Sequence, residues 1–117
     1  MLKTGYVKRS SIFHEGYRSC IYHFIRNDTE IGHFRIDYLD DCYWMWDFYI
    51  NFPYRNCGYG DKMLQECIKT LNDKPLKCYG FNTEGHMLHL LKKYNFIIIK
   101  VEDLRNVCRY QMRREVK

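Results

Sequence analysis

The chain has 117 residues, 17% of them aromatic and 46% hydrophobic, with a formal net charge of +5. That length supports one domain with a modest core and not two, and the two prolines, with no Gly/Ser-rich run and no repeat, exclude a linker-rich or low-complexity chain. No stretch approaches a membrane span, and the opening MLKTGYVKRSSIFHEG has no apolar leader core, so a cytoplasmic protein with no membrane contact is expected.

In chain order, the first eighteen residues are ambiguous and leave room for an edge strand around 5–13. CIYHFIR at 20–26 has strand composition, the polar NDTE at 27–30 turns it, and IGHFRIDYL at 31–39 completes a hairpin. CYWMWDFYI at 42–50 follows Asp40-Asp41 and is apolar on both faces apart from Asp47, which predicts a central strand covered on both sides. At DKMLQECIKTLN, 61–72, the period changes. Leu64, Cys67, Ile68 and Leu71 fall at the spacing of an amphipathic helix, which ends at Asn72-Asp73-Lys74-Pro75.

LKCYGF at 76–81 is a further strand. Thr83 is the expected N-cap of a second helix over 84–94, with Met87, Leu88, Leu91 and Tyr94 on its apolar side. FIIIKV at 96–101, the turn EDLRN and VCRYQMR at 107–113 close the chain as a hairpin. Its last strand alternates Cys108, Tyr110 and Met112 with Arg109, Gln111 and Arg113, predicting one buried and one wet face. The order β-β-β-α-β-α-β-β implies an α+β layer: one mixed, mainly antiparallel sheet carrying helices, as a single domain over 1–117 with a short tail at 114–117.

Six cysteines lie without CxxC spacing, so neither a disulfide framework nor a zinc site is expected. Cys20-x-x-His23 and His86-x-x-His89 lack further ligands at a recognisable spacing. The basic residues are spread out, with one concentration at Arg105, Arg109, Arg113, Arg114 and Lys117. A solvated strand face and tail explain them; a nucleic-acid patch and attraction to an anionic ligand are the alternatives, but no recognised nucleic-acid-binding motif accompanies the charge.

PYRNCGYGDKM at 53–63 carries the chemistry. A helix that starts directly after a glycine turn has unpaired N–H groups and a positive dipole end, and glycine lets an anion approach that backbone. A Walker loop needs GK[ST], whereas Asp61-Lys62-Met63 follow Gly60; a dinucleotide fingerprint needs a third glycine where Met63 stands. A tight strand-to-helix turn is the plain structural reading.

The string R-N-C-G-Y-G resembles the R/Q-x-x-G-x-G/A acyl-CoA loop of the GNAT superfamily of N-acetyltransferases. DFYINFPYRNCGYG is similar to that family's D-L-Y-V-x-x-x-Y-R-G-x-G-I-G, with Asp47, Ile50, Tyr54, Arg55, Gly58 and Gly60 in register. NDTEIGHFRI resembles the family hairpin, and LLKKYNF at 90–96 resembles L-Y-E-K-L-G-F with Asn95 in place of glycine. The similarity covers about 20–113, and the N-terminal helical region common in the family is not evident.

This resemblance implies acetyl-CoA as acyl donor. The backbone of Arg55, Asn56, Cys57, Gly58, Tyr59 and Gly60, with Asp61 and Lys62 at the helix start, would cradle its pyrophosphate. Arg55 and Lys62 would add charge. Phe48 and Ile50 would face the pantetheine arm from a gap between strands, the Ile50 amide serving as oxyanion donor, and Asn82 would add a hydrogen bond. Asp47, expected to be buried in its apolar run, is the candidate general base, or else a structural carboxylate. The family's proton-donating tyrosine falls at Leu91, so Tyr94, one turn on, would substitute or be core. Trp44, Trp46, Tyr49 and Tyr54 are candidates for the acceptor pocket.

Two functions follow. One is transfer of acetyl to an amine of a protein or small molecule. The other is a catalytically weak acyl-CoA-binding module acting through a protein or nucleic-acid partner. Pairing of two copies through the C-terminal hairpin, as a homodimer, is a further expectation.

Overall fold

A computed structural model describes the backbone of residues 6–14 and 16–116 and the side chains of 16–116. Seven strands form one sheet in the order β1-β2-β3-β4-β5-β7-β6. They are β1 (Tyr6–His14), β2 (Tyr17–Arg26), β3 (Thr29–Tyr38), β4 (Tyr43–Ile50), β5 (Leu76–Phe81), β6 (Ile97–Leu104) and β7 (Val107–Arg114). Helix α1 (Tyr59–Thr70) joins β4 to β5, and α2 (Gly85–Lys93) joins β5 to β6. The ambiguous N-terminal stretch is thus an edge strand, antiparallel to β2. Every neighbouring pair is antiparallel except β4 and β5, because a helical crossover returns the chain in the same direction.

Both helices pack on the same sheet face. From α1, Met63, Leu64 and Cys67 join Phe24, Phe34, Ile36 and Met45 in the core, and Leu90 and Leu91 of α2 enter the same cluster. A Cβ added at Gly80 would lie 2.9 Å from the sulfur of Met112 and 3.1 Å from Leu88, so α2 sits directly on β5 and β7.

This one-sided arrangement corrects the expectation for β4. Tyr43 and Met45 are buried, whereas Trp44 and Trp46 on the other face are half-buried and Tyr49 is exposed. No described helix covers that second face. Trp44, Trp46 and Tyr79 pack there with ring centroids 5.1–5.7 Å apart. Arg35, Lys77 and Arg109 lie over Trp46, Trp44 and Tyr79 at 5.5, 6.0 and 4.3 Å from the ring centres. The charged heads of these side chains therefore sit over the ring faces, where the aromatic quadrupole attracts a cation. The face alternation of β7 is also softer than expected, since only Met112 is fully buried. Strand β6 forms the sheet edge, with Ile97, Ile98, Ile99 and Val101 exposed.

Thr83 does not cap α2. Glu84 occupies the N-cap position and no side chain bonds the helix start. At the other end the Phe96 amide donates to the Leu91 carbonyl and the Asn95 amide to that of Lys92, each at 3.1 Å, with Asn95 left-handed at φ 69°. This paired closure needs a positive φ just past the helix, which explains a glycine-or-asparagine position before Phe96. Asn95→Gly is expected to raise stability by a few tenths to about 1 kcal/mol, because glycine adopts that backbone without a Cβ penalty. Chemical denaturation checks this, and a lower midpoint would contradict it.

Candidate functional site

The site is built where β4 leaves its neighbours. Strands β4 and β5 pair only at Tyr43 with Leu76 and Trp44 with Lys77. On the other side of β4, His33 opposes Tyr49 and Arg35 opposes Trp46, so Asp47 and Phe48 together face the single residue Phe34. That bulge, with Asp47 left-handed at φ 54°, bends β4 and opens a gap towards β5.

The ladder phase decides what faces the gap. The Asn51 amide donates to the Ile31 carbonyl at 2.8 Å. The next pair, Gly32 and Ile50, is therefore the non-bonded kind, and the Ile50 N–H and C=O point away from β3. The carbonyl receives Arg55 Nε at 2.8 Å. Gly60 brings α1 to the same spot: a Cβ there would touch Ile50 and Leu90, each at 3.9 Å.

The loop ahead of α1 has two left-handed residues, Asn56 at φ 62° and Gly58 at φ 82°. Gly58 is the N-cap and no side chain caps the helix, so the amides of its first turn are available to an outside acceptor. Nothing lies within 4 Å of a Cβ built on Gly58, and residues 55–58 are exposed. Lys62 is exposed beside this turn, while Tyr59 turns inward and receives a hydrogen bond from Arg26. The Arg55 guanidinium folds back over Tyr49, 4.8 Å from its ring centre, rather than reaching over the loop.

Asp61 does not cap the helix either. Its carboxylate accepts from Lys93, from the Tyr94 hydroxyl and from Gln65 Nε2, the last at 2.9 Å. Led by Lys93, these bonds lower its pKa from 3.8 to about 2. A carboxyl depressed on folding stabilises above its unfolded pKa and loses that contribution as pH falls through the folded value. Part of the chain's acid sensitivity is therefore expected between about pH 4 and pH 2. Asp61→Asn should flatten a midpoint-versus-pH plot in that window; an unchanged slope would remove Asp61 from this role. Neither Gln65 nor Lys93 was identifiable from sequence, because their meeting depends on both helices sharing a face.

Several expected roles change. Asp47 is not buried: its side chain is 67% exposed, 3.9 Å from Arg35, because the bulge turns it outward. The desolvation that was to make it a base is absent. Tyr94 is held by Asp61, and burial followed by that bond raises its pKa, which makes it a poorer proton donor. Asn82 spends its side-chain oxygen on the Cys108 amide at 2.9 Å, tying the end of β5 to β7. Leu91 is fully buried core. Tyr54 packs partly buried against the core near Tyr59, while Trp44 and Trp46 lie on the open face.

A shallow hollow of about 390 Å³ lies beside the bulge, lined by His33, Asp47, Phe48 and Tyr49. His33 was not among the expected residues; only the register that sets it against Tyr49 reveals it. Among the described residues no group of three or more His, Cys, Asp or Glu could hold a metal ion, and no helix is long and apolar enough to cross a membrane.

The sequence profile of the Acetyltransferase (GNAT) family matches residues 4–96. No curated protein matches the chain. Among solved structures, a GNAT family acetyltransferase from Elizabethkingia anophelis with acetyl-CoA bound superposes with TM-score 0.72 at 18% identity, covering 84% of this chain and 76% of that one. A Bacillus subtilis acetyltransferase in complex with CoA gives TM-score 0.79 at 10% identity, covering 97% and 100%. The ribosomal-protein-S18-alanine N-acetyltransferase from Escherichia coli gives 0.76 at 12%, covering 90% and 72%.

Proposed function

Because the chain belongs to the GNAT family of acetyltransferases, we propose that it transfers acetyl from acetyl-CoA to an amine of a protein or small molecule. The observation that carries this reading is the uncapped start of α1, with its open left-handed glycine, beside the gap between β4 and β5. An anion fits there because first-turn amides and the helix dipole point at it and no Cβ intrudes. Acetyl-CoA and CoA in two fold neighbours agree with that anion being a pyrophosphate.

In this reading the amides of residues 58–61 hold the pyrophosphate, with Lys62 adding charge, and Arg55 braces the end of β4 through the Ile50 carbonyl. Phe48 and Ile50 line the gap. The Ile50 N–H, directed away from β3, donates to the oxygen on which charge develops during acyl transfer. Acetyl-CoA, when bound, supplies the activated acetyl group. Asp47, exposed at the mouth of the hollow, attracts the acceptor as an ammonium.

A second reading, an acyl-CoA-binding module with weak transfer, is favoured by one observation. The family's tyrosine position is the buried Leu91, and the nearby Tyr94 hydroxyl already donates to Asp61. Calorimetry with acetyl-CoA tests what both readings share, and absence of binding would end both. Binding without transfer to any amine or protein in a broad panel would leave only the second.

A further inference from the structure

Cross-strand register builds a row on the open sheet face whose two histidines the assignments above leave unused. His23 on β2 opposes His33 on β3, and His33 opposes Tyr49 on β4. Directly opposed residues share a face, so the three project to the same side. The His33 and Tyr49 rings lie 5.5 Å apart, and both line the hollow with Asp47 and Phe48. His33 is half-buried, so its ring has a fixed packing partner and still meets solvent.

An amine acceptor arrives at neutral pH as an ammonium and must lose a proton before its nitrogen can attack. Asp47 lies at the mouth but is open to water. Imidazole is the side chain whose ordinary pKa lies near the working pH, which is where a general base is most efficient. Resting on the acetyltransferase reading, we infer that His33 is the general base of this site and that Asp47 draws and holds the ammonium beside it.

The step balances. A His33 ring nitrogen takes one proton from the ammonium, freeing the lone pair that forms the C–N bond to the acetyl carbon. The C–S bond breaks and the thiolate leaves with its electron pair. The second amine proton passes to that thiolate, and the imidazolium returns its proton to water at the open mouth. The groups facing His33 are Tyr49 and Asp47 from β4, Arg35 two positions along β3, and His23 from β2, which is itself bonded to Glu30. Arg55 lies beyond, over the Tyr49 ring. Asp47 lies 3.9 Å from Arg35 and, with its side chain 67% exposed, keeps an open side for the ammonium.

The test uses a conjugate in which the sulfur of CoA carries an acetyl amide of n-hexylamine, so that the amide nitrogen occupies the reaction point whatever the natural acceptor is. Histidine ring resonances are followed in the full chain, with His33 assigned through His33→Gln. The expected result is a saturable shift of the His33 signal on binding. Binding with the His33 signal unmoved overturns the inference and leaves acyl-CoA binding intact. No binding of the conjugate or of acetyl-CoA overturns both. With any amine that turns over, His33→Gln is expected to lower kcat by about 100-fold, leave KM nearly unchanged and abolish the rise of rate towards neutral pH. If that rise survives in His33→Gln, the base lies elsewhere. Asp47→Asn should instead raise KM and keep the rise; the reverse pattern would return the base to Asp47.

Discussion

Replacing Gly58 by glutamate is expected to abolish acetyl-CoA binding while leaving a folded chain. Two effects act together and can be separated. Gly58 is left-handed at φ 82°, so any L side chain there costs about 1–2 kcal/mol of strain. The glutamate also places a negative charge at the end of α1 whose open amides would receive the pyrophosphate. Gly58→Ala carries the strain without the charge, and nothing lies within 4 Å to clash with its methyl. Calorimetry should therefore give weakened binding for alanine and none for glutamate, with similar melting temperatures for the two. Equal affinities for wild type and Gly58→Glu would remove the loop from the binding site.

Gly32→Ala is expected to be the most damaging small change in the sheet. The added methyl would sit 2.7 Å from both Ile50 Cδ1 and the Tyr49 carbonyl oxygen, and 3.1 Å from the sulfur of Met63. The two side chains can swing aside. The carbonyl belongs to the β3–β4 ladder and moves only if β4 moves. Overpacking of this kind costs about 1–3 kcal/mol, and an immovable backbone contact argues for the upper end. Displacing β4 would also turn the Ile50 amide, so acetyl-CoA affinity should fall more than a purely global loss of stability explains. Urea denaturation alongside calorimetry checks both parts. A cost below about 0.5 kcal/mol would mean that β4 and α1 approach less closely than described.

Much of the fold was legible because alternation and helical periodicity are local. Strand β5 falls on 76–81 as expected, and β4 and β7 shift by a single residue at one end. The glycine loop was legible as well, since a left-handed N-cap calls for glycine. The misreadings share one cause. Asp47 looked buried because its neighbours are apolar, yet a bulge that depends on the facing strand turns it outward. Trp44 and Trp46 looked like two-sided core, yet cations cover them. Tyr94 reads from sequence as a substitute proton donor or as core, and its bond to Asp61 depends on where α1 lies.

The element order from β2 onward, the glycine loop ahead of α1 and the family are legible in the chain alone, because each is written in residues close together. Tertiary structure alone decided which face both helices cover, where β4 separates from β5, and that His33 stands beside Tyr49 and Asp47. Those outcomes depend on strand register and on a two-for-one bulge. Shifting either by one residue moves every side chain beyond it to the opposite face.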